Sequence, residues 1–214
     1  TLKTPAQAYA FARGEAMTLQ DGSTAQLDRP LDFAAVTDHA EWFDLLHICT
    51  DPQNFAAPYC ERLRKDSSME NGSSLFADYV IPTITQESPQ ATPICIADPA
   101  KCVEAKKSQW QRVQDQANAA NDPCEFTAQI GYEWSYTKSF SHSHRNIIFA
   151  NANVTEDAID YIRHPTLNDL WQQLEKQCRV EDGCDALAIP HNTNMGDGTT
   201  FDVETEDDRT LQLR

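Results

Sequence analysis

Three short apolar runs in this chain each end directly in a side chain that can bind a metal ion, and this constrains the fold more than any other feature. The runs and their end groups are Val36-Thr37 before Asp38-His39, Gly131-Tyr132 before Glu133, and Ala188-Ile189-Pro190 before His191. Short apolar runs bounded by turn residues are typical of buried strands. Strands hold the side chains at their ends rigidly, as a preorganised metal site requires. We therefore expect these groups to meet at one rim of a sheet or barrel.

Strand-like runs alternate with helical patterns along most of the chain. The predicted strands span residues 31–37, 126–132, 145–150 and 185–190, and the predicted helices span residues 4–13, 41–48, 55–66, 73–81, 99–121 and 166–178. In the long helix, Val103, Lys107, Trp110 and Val113 lie near one face, which is expected to cover the sheet. The alternation predicts an α/β architecture with mostly parallel strands, the first of them buried.

The length of 214 residues is sufficient for one domain with a substantial core. A single domain over residues 1–214 is expected, with the stretch from about 49 to 99 as an excursion from its core. The acidic tail from Asp197 onward is expected to be a solvated loop or a disordered end. No stretch approaches the roughly 20 apolar residues of a membrane helix, so no membrane partner is predicted.

The chain carries a strong negative charge. Its 33 acidic and 17 basic residues give a formal net charge of -16. Such a field repels a phosphate backbone, so a nucleic-acid partner is not predicted. An acidic surface also keeps a protein soluble, and the charge therefore indicates no particular partner by itself.

Seven cysteines are many for a cytosolic enzyme of this size, and no Cys-x-x-Cys pair suggests a zinc ribbon or a redox couple. Cys95 lies close to Cys102, and Cys178 lies close to Cys184, so two disulfide-closed loops are expected. Spacing does not fix the pairing, and buried free thiols are the alternative. If the cysteines pair, the odd count leaves one of them over. The count favours an oxidising compartment, periplasmic or extracellular.

Two further imidazoles lie between the second and third apolar runs, in Ser141-His142-Ser143-His144-Arg145-Asn146. A lone Asp-His pair or His-x-His is more often a hydrogen-bonded pair than a ligand set. Together, however, the candidate side chains fit Zn²⁺, Mn²⁺ or Fe²⁺, which favour nitrogen and oxygen ligands. They are Asp38, His39, Glu133, His142, His144 and His191. His47 and His164 fall outside this pattern and are interpreted as structural.

Five segments of the chain, taken in order, carry a family resemblance. They are residues 4–14 (TPAQAYAFARG), 29–41 (RPLDFAAVTDHAE), 131–135 (GYEWS), 144–149 (HRNIIF) and 189–192 (IPHN). They resemble the PHP (polymerase and histidinol phosphatase) superfamily, and most closely an uncharacterised family within it, the domain of unknown function 3604. The resemblance extends over nearly the whole chain.

The resemblance implies a distorted (β/α) barrel of about seven strands with two or three divalent metal ions at the strand C-terminal rim. It implies that Glu133 bridges two of the ions and that His144 and His191 bind one of them. His39 would belong to a third ion, and Asp38 would orient a ligand or contact water. Arg145, Asn192 and Asn194 are close enough in sequence to these residues to be candidates for contact with substrate or for support of the metal ligands.

Two motifs of the superfamily have no counterpart in this sequence. They are a His-x-His before the opening helix and an Asp-x-His after a further strand. We therefore expect a partial PHP-like domain, incomplete at both ends, and we expect this chain alone to hold one metal weakly or none and to be inactive alone.

The function that the resemblance implies is hydrolysis of a small-molecule phosphoester by a metal-bound hydroxide. Glu133, His39 and His191 are the predicted catalytic residues. The alternatives are hydrolysis of an amide or a sulfate ester, and a non-catalytic secreted binding module that keeps the fold. A serine-hydrolase elbow and a phosphate-binding glycine loop are both missing from the sequence. Substrate, metal identity and oligomeric state are not determined by the sequence.

Overall fold

A computed structural model of the chain describes residues 3–19, 21–50, 60–62, 72–74, 76–81, 88–138, 141–198 and 200. The helices are α1 (Pro5–Ala12), α2 (Phe43–Thr50), α3 (Pro93–Ala97), α4 (Pro99–Ala120) and α5 (Leu167–Gln177). The strands are β1 (Met17–Thr18), β2 (Thr24–Ala25), β3 (Phe33–Ala35), β4 (Thr127–Gln129), β5 (Gly131–Trp134), β6 (Thr137–Lys138), β7 (Ser141–His142), β8 (Arg145–Phe149) and β9 (Ala186–Pro190). Single turns of 3-10 helix lie at Ala40–Trp42 and Val180–Asp182, and a π-helical turn lies at Phe76–Val80.

The strands form small sheets of mixed direction. Strand β8 is the centre of a three-stranded antiparallel sheet with the order β5-β8-β9, whereas β3 and β4 form a parallel pair. The pairs β1-β2 and β6-β7 are antiparallel hairpins. Within the described residues the class is thus mixed α and β, and none of these sheets closes into a barrel.

The prediction of mostly parallel strands is wrong. Trp134 of β5 pairs with Arg145 of β8, so the chain turns back within residues 135–144, through the β6-β7 hairpin. That connection is shorter than the crossover of about a dozen residues that a parallel pair needs. Helix α5 lies between β8 and β9, but the two strands are also antiparallel. Alternation of helices and strands in the sequence therefore did not determine strand direction.

The predicted strand 126–132 is divided between two sheets. Its first part pairs with β3 and its second with β8, and the change of partner occurs at the buried Ile130. The predicted strand 31–37 is shorter than expected and lies at an edge. Its Phe33 is 65% exposed, so the expectation of a fully buried strand is wrong at this position.

The first helix follows its sequence signals closely. The Thr4 hydroxyl accepts the Gln7 amide N–H, and the Gln7 side chain accepts the Thr4 amide N–H, which together form a capping box. The Tyr9 hydroxyl donates to the carbonyl of Gln129 at 2.9 Å and accepts the Val36 amide N–H at 3.2 Å. Helix α1 is thereby fixed to the parallel pair that leads into the predicted metal residues.

Helix α4 covers the sheet, and its buried face agrees with the predicted one at Trp110 and Val113 but not at Val103 and Lys107. Val103 is 39% exposed and Lys107 is exposed, whereas Cys102 and Lys106 are buried together with Trp110. The disulfide from Cys95 turns Cys102 inward at the start of the helix. The Trp110 ring then packs edge-on against Tyr132, with ring centroids 5.4 Å apart, and its Nε1 donates to the carbonyl of Thr155.

Three disulfides crosslink the described chain. The expected pairs Cys95–Cys102 and Cys178–Cys184 are confirmed, and Cys49–Cys60 is a third. Cys124 is the cysteine left over, and it is exposed. Structural disulfides persist in oxidising compartments, so the three bridges fit a protein outside the cytoplasm.

The predicted excursion at 49–99 is described in part. Residues 60–62 are helical, and the rest of the predicted helix 55–66 lies outside the described residues. The predicted helix 73–81 corresponds to helical residues 72–74 and the π-helical turn. Among the helices that the structure describes, none combines the length and the apolar character needed to cross a membrane.

Removal of the Cys178–Cys184 bridge in a Cys178→Ser/Cys184→Ser variant should lower the free energy of unfolding by about 2 kcal/mol, because the open loop gains entropy in the unfolded chain. Urea unfolding measures the change. Cys124→Ser is the matched control, since Cys124 forms no disulfide, and it should unfold as the parent does. Equal midpoints for the double variant and the control would contradict the stabilising role of the bridge.

Gly131→Ala should destabilise the fold, because a methyl group there has no space. An added Cβ would lie 2.7 Å from the Ile147 carbonyl oxygen and 3.2 Å from Thr37 Cγ2. We expect the free energy of unfolding to fall by about 1–3 kcal/mol, as for other overpacked sites. Gly72→Ala is the control, since nothing lies within 4 Å of its Cβ position. A parent-like urea midpoint for Gly131→Ala would show that the sheet accommodates the methyl group without loss of stability, and would contradict this prediction.

Candidate metal centre

The backbone brings three of the predicted residues to one place. His39 and Glu133 form a parallel bridge, in which the Glu133 amide N–H donates to the Asp38 carbonyl at 2.9 Å. On the other side of β5, Glu133 pairs with Asn146 of β8, which places His144 beside it. Strand β5 thus holds its carboxylate between the segment after β3 and the segment before β8.

The Glu133 carboxylate is the centre of the group. Its Oε1 lies 2.7 Å from Nδ1 of His144, and its Oε2 lies 3.8 Å from Nδ1 of His39. One potential ligand atom from each of these three residues lies within 4.8 Å of the other two. His39, Glu133 and His144 are called the ligand group below. Two imidazoles around a shared carboxylate are a donor set that suits divalent zinc, manganese or iron.

The protonation states also suit a cation. Burial raises the pKa of Glu133, but the hydrogen bond with His144 and the charge of His39 outweigh it and hold the pKa below its usual value. Desolvation lowers the pKa of His39, against the opposing effect of Glu133. An ionised carboxylate and a neutral imidazole at neutral pH are the forms that bind metals.

The site is closed on one side and open on the other. The side chains of Glu133 and His144 are 8% and 10% exposed, whereas the His39 side chain is 51% exposed. A ligand can therefore approach from the His39 side, while the protein interior surrounds the carboxylate.

Two hydroxyl groups that the sequence analysis missed contact the imidazoles. Ser135 Oγ lies 2.6 Å from Nδ1 of His39, and Thr137 Oγ1 lies 3.0 Å from Nε2 of His144. The signal for them was a spacing of two along an extended segment, which places residues 133, 135 and 137 on one side. Neither residue type alone suggests a metal site.

His191 and His142 surround His144 without joining the ligand group. The His191 amide N–H donates to the His144 carbonyl at 3.1 Å, and the two rings are 5.7 Å apart. His142 stacks on His144 with centroids 4.6 Å apart, and burial lowers the pKa of His142. His164, interpreted as structural, accepts the Trp134 Nε1–H with its carbonyl.

The Asp38 side chain lies outside the three-residue ligand group. Its backbone carbonyl supports Glu133, and desolvation raises the pKa of its carboxyl group. Asp38 directly precedes His39 in the chain, and its predicted place among the metal-binding side chains stays a prediction. Its proposed contact with a ligand or water stays a prediction.

The three predicted substrate residues lie in different surroundings. Arg145 is 1% exposed, and its guanidinium donates to the carbonyls of His144 at 2.9 Å and Thr200 at 3.1 Å. These contacts assign it to holding the histidine segment in position. Asn192 and Asn194 are exposed on the loop after β9, where the Asn194 amide N–H donates to Asn192 Oδ1. Substrate contact by the two asparagines stays a prediction.

A group of buried charges lies behind the 3-10 turn that follows His39. Lys106 Nζ contacts Asp160 Oδ2, and both side chains are 3% exposed. Burial lowers the pKa of Lys106 to about 7 and raises the pKa of the nearby Glu41 to about 7. Together with Asp44 and Arg163 these residues line a cavity of about 180 Å³. No local pattern indicated this group, since Lys106 is one of several lysines in a polar helix.

A second cluster of potential ligands, Asp44 with Cys95 and Cys102, does not form a metal site here. The two sulfur atoms are bonded to each other and offer no thiolate.

Comparison with known protein families identifies the family of this chain. A family model described as "Protein of unknown function (DUF3604)" matches residues 1–213. The chain belongs to this family. Neither the curated proteins nor the solved structures provide a match. In this DUF3604 protein, all three members of the ligand group lie within the matched span.

Lys106→Met in the DUF3604 protein should lower the free energy of unfolding by about 3–5 kcal/mol, because it leaves the Asp160 charge buried without its nearest cation. The double variant Lys106→Met/Asp160→Asn should lose less than the sum of the two single variants. Urea unfolding of all three measures this coupling. Lys107→Met is the control, since the Lys107 pair with Glu156 is exposed and should contribute little. Strict additivity would contradict the pairing.

Proposed function

We propose that this protein is a metal-dependent hydrolase of small phosphoesters, with a metal site built from His39, Glu133 and His144. We also propose that His191, whose ring centroid lies 5.7 Å from that of His144, joins this site when a cation is bound. The observation that carries the proposal is the Glu133 carboxylate, whose two oxygens face different imidazoles at 2.7 Å and 3.8 Å. A carboxylate in this position can be shared between cations. The divalent ion is zinc, manganese or iron, as the nitrogen and oxygen donors favour.

When bound, the cation supplies a Lewis acid that makes hydroxide available near neutral pH and neutralises charge on phosphoryl oxygens. The residues of the chain prepare the site for it. The ionised Glu133 carboxylate offers the negative charge, and Ser135 holds the ring of His39 through Nδ1. The half-exposed His39 leaves an approach for a small substrate. The net acidic charge of the chain does not oppose an anionic substrate, because a bound cation reverses the local potential.

A PHP-type barrel is our proposal for the complete fold. The parallel β3-β4 pair and the parallel bridge between His39 and Glu133 support it. The three disulfides support a periplasmic or secreted location.

The test is metal content and hydrolysis in the protein expressed from its complete coding sequence and purified without chelators. We expect bound zinc, manganese or iron and hydrolysis of para-nitrophenyl phosphate. Glu133→Gln should lose metal and should lower kcat/KM by more than about 100-fold. Loss of a residue that only holds a metal ligand in place already lowers metal affinity or activity by about 10–100-fold. Glu156→Gln is the control, because it also neutralises a carboxylate, but one that is exposed on the surface.

Three outcomes would overturn the proposal in different ways. Hydrolysis of the para-nitrophenyl sulfate ester or of an anilide, but not of the phosphate, would reassign the substrate class. Full activity in a folded Glu133→Gln variant would remove the carboxylate from the mechanism. Failure to bind any of the three metals after reconstitution would indicate a non-catalytic binding module.

A further inference from the structure

The buried carboxylate of Glu41 receives no hydrogen bond from the part of the chain that the structure describes. The residue is 2% exposed, and neither of its carboxylate oxygens has a partner. The Ser135 hydroxyl is near this carboxylate, but it contacts Nδ1 of His39 at 2.6 Å and makes no hydrogen bond with Glu41. A buried carboxylate without donors is costly, so its surroundings favour a bound donor from outside the chain.

Glu41 lines the cavity of about 180 Å³ together with Asp44, which also has acceptor capacity to spare. Oδ1 of Asp44 accepts the Leu45 amide N–H at 2.6 Å, whereas Oδ2 lies 3.3 Å from Cys95 Sγ. That sulfur is bonded to Cys102 and has no proton to donate. Three carboxylate oxygens at this cavity thus lack a donor among the described residues.

The two cationic side chains at the cavity are directed toward a different carboxylate. Lys106 Nζ contacts Asp160 Oδ2, and Arg163 Nε lies 3.8 Å from the same oxygen. Among the ion pairs that the structure describes, none includes Glu41 or Asp44. The lining therefore contains three carboxylates and two cations, and one further positive charge would balance it.

The cavity is charged at its inner end and apolar toward the surface. Glu41 is buried, whereas Pro99 and Val103 are exposed and Ile162 is partly exposed. The volume has room for several water molecules, so a bare metal ion would fill only a small part of it. A primary ammonium group has three N–H donors, which matches the three oxygens. A short alkyl chain on this group would lie against the apolar lining.

We propose that this cavity binds a small primary alkylammonium ion. Glu41 and Asp44 accept its N–H donors, and Val103 and Ile162 contact its alkyl chain. The cavity lies behind the 3-10 turn Ala40–Trp42 and includes no member of the ligand group. The amine site is therefore additional to the proposed hydrolase centre and does not depend on it.

The first measurement is calorimetric binding of n-butylammonium to the full chain in the presence of a metal chelator. n-Butanol and tetramethylammonium are the comparison ligands, because butanol lacks the charge and tetramethylammonium lacks N–H donors. Each should bind at least about 10-fold more weakly than butylammonium, as expected when charged hydrogen bonds are lost. Equal affinities for the two cations, or no binding of butylammonium, would overturn the proposal.

The second measurement compares variants that each remove one negative charge. Glu41→Gln should weaken butylammonium binding by about 10–100-fold, as loss of a hydrogen bond to a charged group would. Asp44→Asn should also weaken it, and it keeps Oδ1 for the Leu45 amide, so it decides the question if Glu41→Gln does not fold. Glu156→Gln is the matched control, since its carboxylate is exposed, and it should bind as the parent does. Parent-like affinity in the folded cavity variants would assign the amine to the acidic surface and overturn the proposal.

Methyl NMR of the parent locates the bound amine. Butylammonium should shift the methyl signals of Val103 and Ile162, which line the cavity, and should leave those of the exposed Val180 unchanged. Shifts confined to other residues would overturn the proposal. Because the chelator removes metal, failure of the proposed hydrolase would not alter these results, and failure of amine binding would not alter those of the hydrolase.

Discussion

The backbone pairing of β5 on both of its sides is the constraint on which the site depends. On one side, the Glu133 amide bonds to the Asp38 carbonyl, and on the other, residues 131–134 pair with β8. Because a strand alternates its side chains with a period of two, this register directs Glu133 toward both imidazoles and directs Tyr132 into the core. The core ring and the site carboxylate are therefore fixed by the same hydrogen bonds.

The same register links the site to the packing behind it. Tyr132 packs on Trp110 of α4, and one turn earlier on that helix Lys106 reaches Asp160. Asp160 directly precedes Tyr161, whose hydroxyl bonds to the carbonyl of Thr137. Helix α4, the buried ion pair and the hydroxyls around the histidines thus form one connected arrangement. A close-packed interior of this kind keeps ligand side chains in position without a bound ion.

The candidate site was more predictable from the sequence than the sheet around it. His39 and Glu133 were proposed as ligands because each follows an apolar run, and His144 was proposed from the family resemblance; the structure brings the three together. His191 was grouped with them, yet it contacts His144 through its backbone and lies outside the ligand set. The direction of the strands was predicted wrongly, because a pattern of helices and strands is the same for parallel and antiparallel returns.

The sequence by itself determined the local elements of this protein and the chemistry available to it. The local features are the capping box at Thr4, the helical patterns at 99–121 and 166–178, and the candidate ligand side chains at the ends of apolar runs, and each is determined by neighbouring residues. Only the tertiary structure decided that α4 buries Lys106 instead of Val103, and that Ser135 and Thr137 contact the histidines. Those outcomes depend on contacts between residues far apart in the chain, and hydroxyl groups and lysines carry no local signal of their partners.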